Sequence, residues 1–125
     1  PTVRGIWIAI DGGAILDEGA AVQTMRSTCN DALSWAGRQP MSSSGVSLPL
    51  DGTAGFNPPF KNEPPLWIHF LDGSVRTSGQ PCGIGELPYT CIPAAFAQAI
   101  EQATGTPSTP LPARPASIYQ MLERS

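Results

Sequence analysis

The chain has 125 residues, which is enough for one modest domain with one hydrophobic core. Its formal net charge of −3, from 7 basic and 10 acidic residues, does not favour a nucleic acid or an anionic membrane as partner. No apolar run is long enough to span a bilayer. The 14 Pro and 13 Gly residues indicate long loops that lie against another surface, or a disordered tail.

The first half of the chain predicts a strand, a turn and a helix. Residues 3–10 are β-branched and aromatic with few breakers, which indicates a strand that ends at the turn Asp11-Gly12-Gly13. Trp7 is assigned to the core or to an interface. A helix is predicted over residues 19–36, ended by Gly37. Its apolar face recurs at spacings of three and four and consists of Val22, Met25, Cys29, Leu33 and Ala36.

The middle of the chain predicts a loop and a second strand. Residues 40–62 are rich in Ser, Gly and Pro, and indicate a long loop with at most one strand, in which Phe56 and Phe60 are assigned to packing. Residues 66–70 predict a strand with three apolar side chains on one face and Trp67 and His69 on the other. His69 is expected to be an exposed or hydrogen-bonded strand residue, and no Ser-His-Asp hydrolase arrangement is visible.

A short loop, residues 81–89, holds one carboxylate, Glu86, between the glycines Gly83 and Gly85 and a proline. The glycines permit positive φ and the close approach of another group to the backbone. Two interpretations stay open: an ordinary turn, and a carboxylate presented for catalysis or binding. A phosphate cradle is disfavoured because Glu86 would repel phosphate and no Lys follows.

The last part predicts a helix over residues 92–104, with Pro93 in its first turn and Gly105 as its end. A Pro-rich connector and a short helix over residues 117–123 follow, so the proposed division is residues 1–106 and residues 107–125. The three cysteines lack the spacing of a zinc site. Cys29 is expected in the core, and Cys82 is also assigned to packing.

Three stretches together resemble a known family. They are Cys82-Gly83-Ile84-Gly85-Glu86, the Ala-rich run of residues 92–100, and Ala103-Thr104-Gly105. In this order they resemble the C-terminal end of the molybdenum hydroxylases, the xanthine dehydrogenase and aldehyde oxidase family, and especially the isoquinoline 1-oxidoreductase-like large subunits. The resemblance extends back to Asp11-Gly12-Gly13 and Gln23. It implies an α+β fold, a small sheet with two main helices and long loops, like the last section of a molybdopterin-binding domain.

The resemblance also implies a function. The family hydroxylates N-heterocycles or oxidises aldehydes with water as the oxygen source, and Glu86 corresponds to its catalytic base. Gln23 corresponds to a residue that hydrogen-bonds the pterin, and Gly85 to part of the cofactor-binding loop. The molybdenum cofactor, molybdopterin with or without a cytosine dinucleotide, would be shared with a larger molybdopterin-binding chain. Iron–sulfur clusters would lie only on a partner subunit, and no residue of this chain is predicted to bind the metal.

Departures from the family pattern leave a second interpretation open. Leu16-Asp17-Glu18 stands where Asn-Pro is common, Gln23 is followed by Thr24 rather than by Glu-Gly, and Leu87-Pro88 replaces Pro-Pro. The alternative is a non-enzymatic binding or assembly module derived from the family. In either case the chain is expected to be inactive without the rest of the enzyme. The substrate, the compartment (bacterial cytoplasm or periplasm) and the status of Pro1 as a natural N-terminus stay open.

Overall fold

The computed structural model describes residues 3–37, 63–71, 80–107, 111–113 and 115–123. This part of the chain forms a small α+β fold with a two-stranded parallel sheet and three helices, in agreement with the predicted fold class. The elements in chain order are β1 (Ile6–Ile10), α1 (Glu18–Ala36), β2 (Leu66–Phe70), α2 (Leu87–Thr104) and α3 (Pro115–Glu123). The loop predicted over residues 40–62, with Phe56 and Phe60, lies outside the described residues.

The two strands pair in parallel with Ile6 opposite Leu66 and Ile10 opposite Phe70. The bounds of β2 agree with the prediction, whereas β1 begins three residues later than predicted, because pairing with β2 begins only at Ile6. Helix α1 lies between the two parallel strands in sequence and provides the crossover that parallel pairing needs. The carboxyl ends of both strands therefore meet at one edge of the sheet.

Helix α1 begins one residue before the predicted start. The Asp17 side chain accepts a hydrogen bond of 2.9 Å from the backbone N–H of Ala20, and Glu18 places a negative charge in the first turn. At the other end, the N–H of Gly37 donates to the carbonyl of Leu33 at 3.0 Å. The predicted apolar face is confirmed at Met25, Cys29, Leu33 and Ala36, which are buried, whereas Val22 is half-buried.

Helix α2 begins at Leu87, so the predicted start at residue 92 is wrong. The proline in the first turn is Pro88, which is fully buried, and Pro93 lies inside the helix. Pro93 has no N–H to donate to the carbonyl of Tyr89, yet the helix continues past it. The predicted end is confirmed, because Gly105 adopts a φ of 69° and donates its N–H to the carbonyl of Glu101 at 2.8 Å.

The hydrophobic core lies between the helices and one face of the sheet. It joins residues of α1 with residues of α2 and the terminal segment, and the half-buried Ile6, Ile8 and Leu66 pack against it. The buried members are Cys29, Ala32, Leu33, Ala36, Ile92, Phe96, Ile100, Ala113 and Ile118. The core assignment of Cys29 is thus confirmed. Residues beyond the proposed boundary at residue 106 share this core, and the N–H of Ala113 donates to the carbonyl of Ala36 at 2.7 Å.

The opposite face of the sheet is exposed in the described part of the chain. Trp7 and Trp67 stack across the two strands with ring centroids 4.5 Å apart and planes 6° from parallel. Trp7 is 71% exposed and Trp67 49%, so a core position for Trp7 is wrong and its role at an interface stays a prediction. His69 is exposed on this face, as expected. Within the described ranges, none of the helices combines the length and the apolar character that a bilayer crossing needs.

Candidate functional site at the carboxyl edge of the sheet

The loop that carries Glu86 lies at the carboxyl edge of the sheet, against the turn that follows β1. The N–H of Cys82 donates to the carbonyl of Gly12 at 3.0 Å. The side chain of Ile84 occupies the space beside Gly12, where an added Cβ would lie only 2.5 Å from the Ile84 Cγ2. The loop and the turn are therefore joined by one backbone hydrogen bond and one close apolar contact.

The turn after β1 needs both of its glycines, for different reasons. Gly13 has a φ of 67°, which favours glycine, and its N–H donates to the Asp11 carboxylate at 3.4 Å. Gly12 is buried and must be small so that Ile84 can pack against it. The sequence indicates a turn here but not this role of Gly12. Its only sequence signal is that the turn contains two glycines, of which only Gly13 has a positive φ.

The loop also lies next to the first turns of α1. A Cβ on Gly85 would lie 3.8 Å from the Cγ2 of Thr24, which is an ordinary packing distance. Thr24 directly follows Gln23, and Gln23 is exposed in the second turn of the helix. The structure thus brings three predicted stretches together at one edge: the turn at Gly12, the helix turn that carries Gln23, and the loop with Gly85.

Glu86 is the residue that immediately precedes α2. Its backbone is in the right-handed region (φ −100°, ψ −3°), and its side chain makes no capping hydrogen bond to the helix. The side chain is exposed. Burial, followed by the negative charges of Asp31 on α1 and of Glu86, raises the pKa of Tyr89. Glu86 is presented at a helix N-terminus, without a capping role.

The glycines of the loop do not use the positive φ that glycine permits. Among the described residues the glycines with positive φ are Gly13 and Gly105. A Cβ on Gly83 would meet no described atom within 4 Å. Open space beside Gly83 is compatible with the close approach of another group, which stays a prediction.

Cys82 is exposed, so its assignment to packing is wrong. Its sulfur lies 3.8 Å from the carbonyl oxygen of Gln80, a weak hydrogen bond within the loop. Within the ranges that the structure describes, no three side chains of the His, Cys, Asp and Glu types are grouped closely enough to hold a metal ion.

Comparison of the chain with family models, with curated proteins and with solved structures finds no match.

Proposed function

We propose that this chain is the C-terminal portion or a small subunit of a molybdenum-dependent hydroxylase or dehydrogenase and that Glu86 supplies its catalytic base. The observation that carries the proposal is that three segments of the resemblance lie at one edge: the turn at Gly12, the helix turn of Gln23 and the loop with Gly85. The N–H of Cys82 donates to the carbonyl of Gly12 at 3.0 Å, and Gly85 lies next to the helix turn that carries Gln23. Ligand sites of α/β proteins commonly lie at the carboxyl ends of parallel strands.

The residues at this edge fit part of a molybdopterin site. The Gln23 amide is exposed and offers both a donor and an acceptor, which suits the mixed donors and acceptors of a pterin. Space is open beside Gly83, and Gly85 lies next to the helix turn of Gln23. When bound, the cofactor would supply the redox centre and the activated water. Gln23 and the Gly85 backbone would contact its organic part.

The role proposed for Glu86 is to take a proton. A carboxylate oxygen of Glu86 would accept the proton that the water loses as its oxygen bonds to the carbon of an N-heterocycle or an aldehyde. The hydrogen on that carbon would leave with its electron pair as a hydride, and those two electrons would pass to the redox centre that the bound cofactor would supply. Two features of Glu86 suit this role: its side chain is not used to cap α2, and it is exposed where an adjoining chain can approach. The rest of the cofactor site and the residues that exclude water are assigned to the larger molybdopterin-binding chain, and the iron–sulfur clusters to a partner subunit.

The test is the Glu86→Gln variant in the assembled enzyme. A general base contributes about 10²- to 10⁴-fold to the rate, so turnover should fall by that factor while assembly and molybdenum content stay unchanged. The matched control is Glu18→Gln, because Glu18 is also an exposed acid at a helix N-terminus of the same edge. Full turnover of the Glu86→Gln enzyme, with normal molybdenum content, would refute the proposal.

A second candidate function is a non-enzymatic binding or assembly module. The exposed Trp7–Trp67 stack favours it, because a large apolar surface on a folded chain indicates a contact with another molecule. Purification of the native complex, followed by molybdenum analysis and removal of this chain, separates the two functions. A partner that keeps full activity without the chain supports the module, whereas lost activity with retained molybdenum supports the catalytic role.

A further inference from the structure

In the described part of the chain, strand β1 has a free edge, which pairs with no other strand. The N–H of Ile6 donates to the carbonyl of Pro65 at 2.9 Å, and the carbonyl of Ile10 accepts from the N–H of Leu71 at 2.8 Å. Backbone groups alternate in direction along a strand, so the N–H and C=O groups of residues 6, 8 and 10 point toward β2. Those of Gly5, Trp7 and Ala9 point the other way. Within the described residues β1 pairs with β2 alone, so these outward groups have no strand beside them.

A groove of about 570 Å³ runs beside this free edge. One wall is formed by residues 3–9, and the other includes a row of small residues of α2, four positions apart along the helix. The row consists of Cys91, Ala95, Ala99 and Ala103, all exposed. At 1.5 Å per residue this row spans roughly 18 Å, which is the length of a strand of five or six residues.

The charge of the groove lies at one end. Arg4 is the only charged residue among those that line it, and its side chain is exposed. The remaining lining residues are apolar, glycine or cysteine. The groove therefore combines three features: the strand edge that pairs with no other described strand on one side, small apolar side chains on the other, and one positive charge beside the start of β1.

From these features we infer that the groove binds an extended segment of a partner polypeptide, which adds a third strand to the sheet at the free edge of β1. Main-chain hydrogen bonds to Gly5, Trp7 and Ala9 hold the segment, as in other cases of strand addition. Its inward side chains are branched and apolar, because the alanines of α2 leave room for them. An acidic residue at one end of the segment pairs with Arg4, which is the charge complement that the groove requires.

This inference does not depend on the role of Glu86, because Glu86, Gln23 and Gly85 do not line the groove. Strand addition would also enlarge the sheet, which has two parallel strands in the described part of the chain, whereas parallel sheets are ordinarily larger. The partner segment would extend the sheet by one strand and cover the exposed row of α2.

The experiment is amide hydrogen exchange by NMR on the full chain, with and without a synthetic peptide. The probe is an acetylated and amidated peptide in which three valines alternate with threonines between two terminal glutamates. In the free chain the N–H groups of Trp7 and Ala9 should exchange faster than those of Ile8 and Ile10. At saturating peptide the exchange of Trp7 and Ala9 should slow by about tenfold, with little change at Ile8.

Controls test each feature of the groove separately. Methylation of alternate backbone nitrogens of the peptide should abolish binding. Ala99→Glu should do the same by placing a charge in the groove, whereas Ala94→Glu, on an exposed position of α2 outside the lining, should leave binding intact. Arg4→Glu should weaken binding of this peptide and favour a peptide that carries lysines in place of the glutamates.

Three results would overturn the inference. The first is a failure of the peptide to bind at millimolar concentration, and the second is binding that ignores backbone methylation. The third is protection of Trp7 and Ala9 in the chain without peptide. If that protection depends on protein concentration, the occupant is a second copy of this chain, and if it does not, the chain itself fills the groove.

Discussion

The contact between Gly12 and Ile84 gives the sharpest test of how the candidate site is built. Gly12→Ala would place a methyl carbon 2.5 Å from the Ile84 Cγ2, whereas carbon atoms normally approach to about 3.5–4.0 Å. The loop or the turn must therefore move by roughly 1 Å. Overpacking of this kind costs about 1–3 kcal/mol of folding free energy.

Part of this loss of folding free energy is offset by an effect of the substitution on the unfolded state. Gly12 is not among the glycines with positive φ, so alanine fits its backbone conformation and restricts the unfolded chain, which stabilises a protein by about 0.4–1 kcal/mol. We therefore expect Gly12→Ala to lower the free energy of unfolding by about 1–2 kcal/mol. Ile84→Ala removes the obstructing methyl group, so the double variant should lose less than the sum of the two single variants.

The assay is urea denaturation followed by tryptophan fluorescence, with the free energy of unfolding obtained by linear extrapolation. The matched control is Gly83→Ala in the same loop, where a Cβ would meet no described atom within 4 Å, so the change should stay within about 0.5 kcal/mol. A Gly12→Ala protein as stable as the original, or a double variant whose losses simply add, would refute the packing argument.

Two further predictions concern α1. Asp17→Ala removes the 2.9 Å hydrogen bond that caps the N–H of Ala20, so it should lower the free energy of unfolding by about 0.5–2 kcal/mol. Asp17→Asn is the control, because its side chain can still cap the helix. Equal losses of stability in the two variants would contradict the capping role. Burial, with a smaller contribution from Cys91, raises the pKa of Cys29 from 9.0 to about 11. A thiol with a higher pKa in the folded state stabilises the fold below pH 9 and loses that advantage as the pH rises toward 11. Unfolding at several pH values should therefore show a steeper decline across this window for the original chain than for Cys29→Ala, and equal slopes would rule the effect out.

Signals that act over a few residues allowed much of the fold to be predicted. The alternation of apolar and polar residues placed β2 at its observed bounds, and the acids before α1 and the glycine after α2 marked helix ends that the structure confirms. The start of α2 could not be predicted in this way. Pro88 and Pro93 both suit a first helical turn, and the burial of Pro88 against the rest of the chain is a long-range feature.

The candidate site shows the same contrast between local signals and long-range contacts. The sequence indicated Glu86, Gln23 and Gly85 one by one as candidate site residues, but their neighbours depend on contacts between distant stretches. The contact of Gly12 with Ile84 crosses more than half of the chain, and periodicity carries no information about it. Alternation likewise predicted which strand residues share a face, but it could not predict that the face with Trp7 is the exposed one.

The hydrogen bond from Ala113 to Ala36 bears on the order in which the chain is made. Ala113 and Ile118 belong to the same core as Cys29 and Leu33, which are synthesised far earlier. Synthesis releases the chain from its N-terminus onward, and domains fold as units. Nearly the whole of these 125 residues must therefore be synthesised before the core can form. Until then the apolar faces of β1 and α1 stay uncovered.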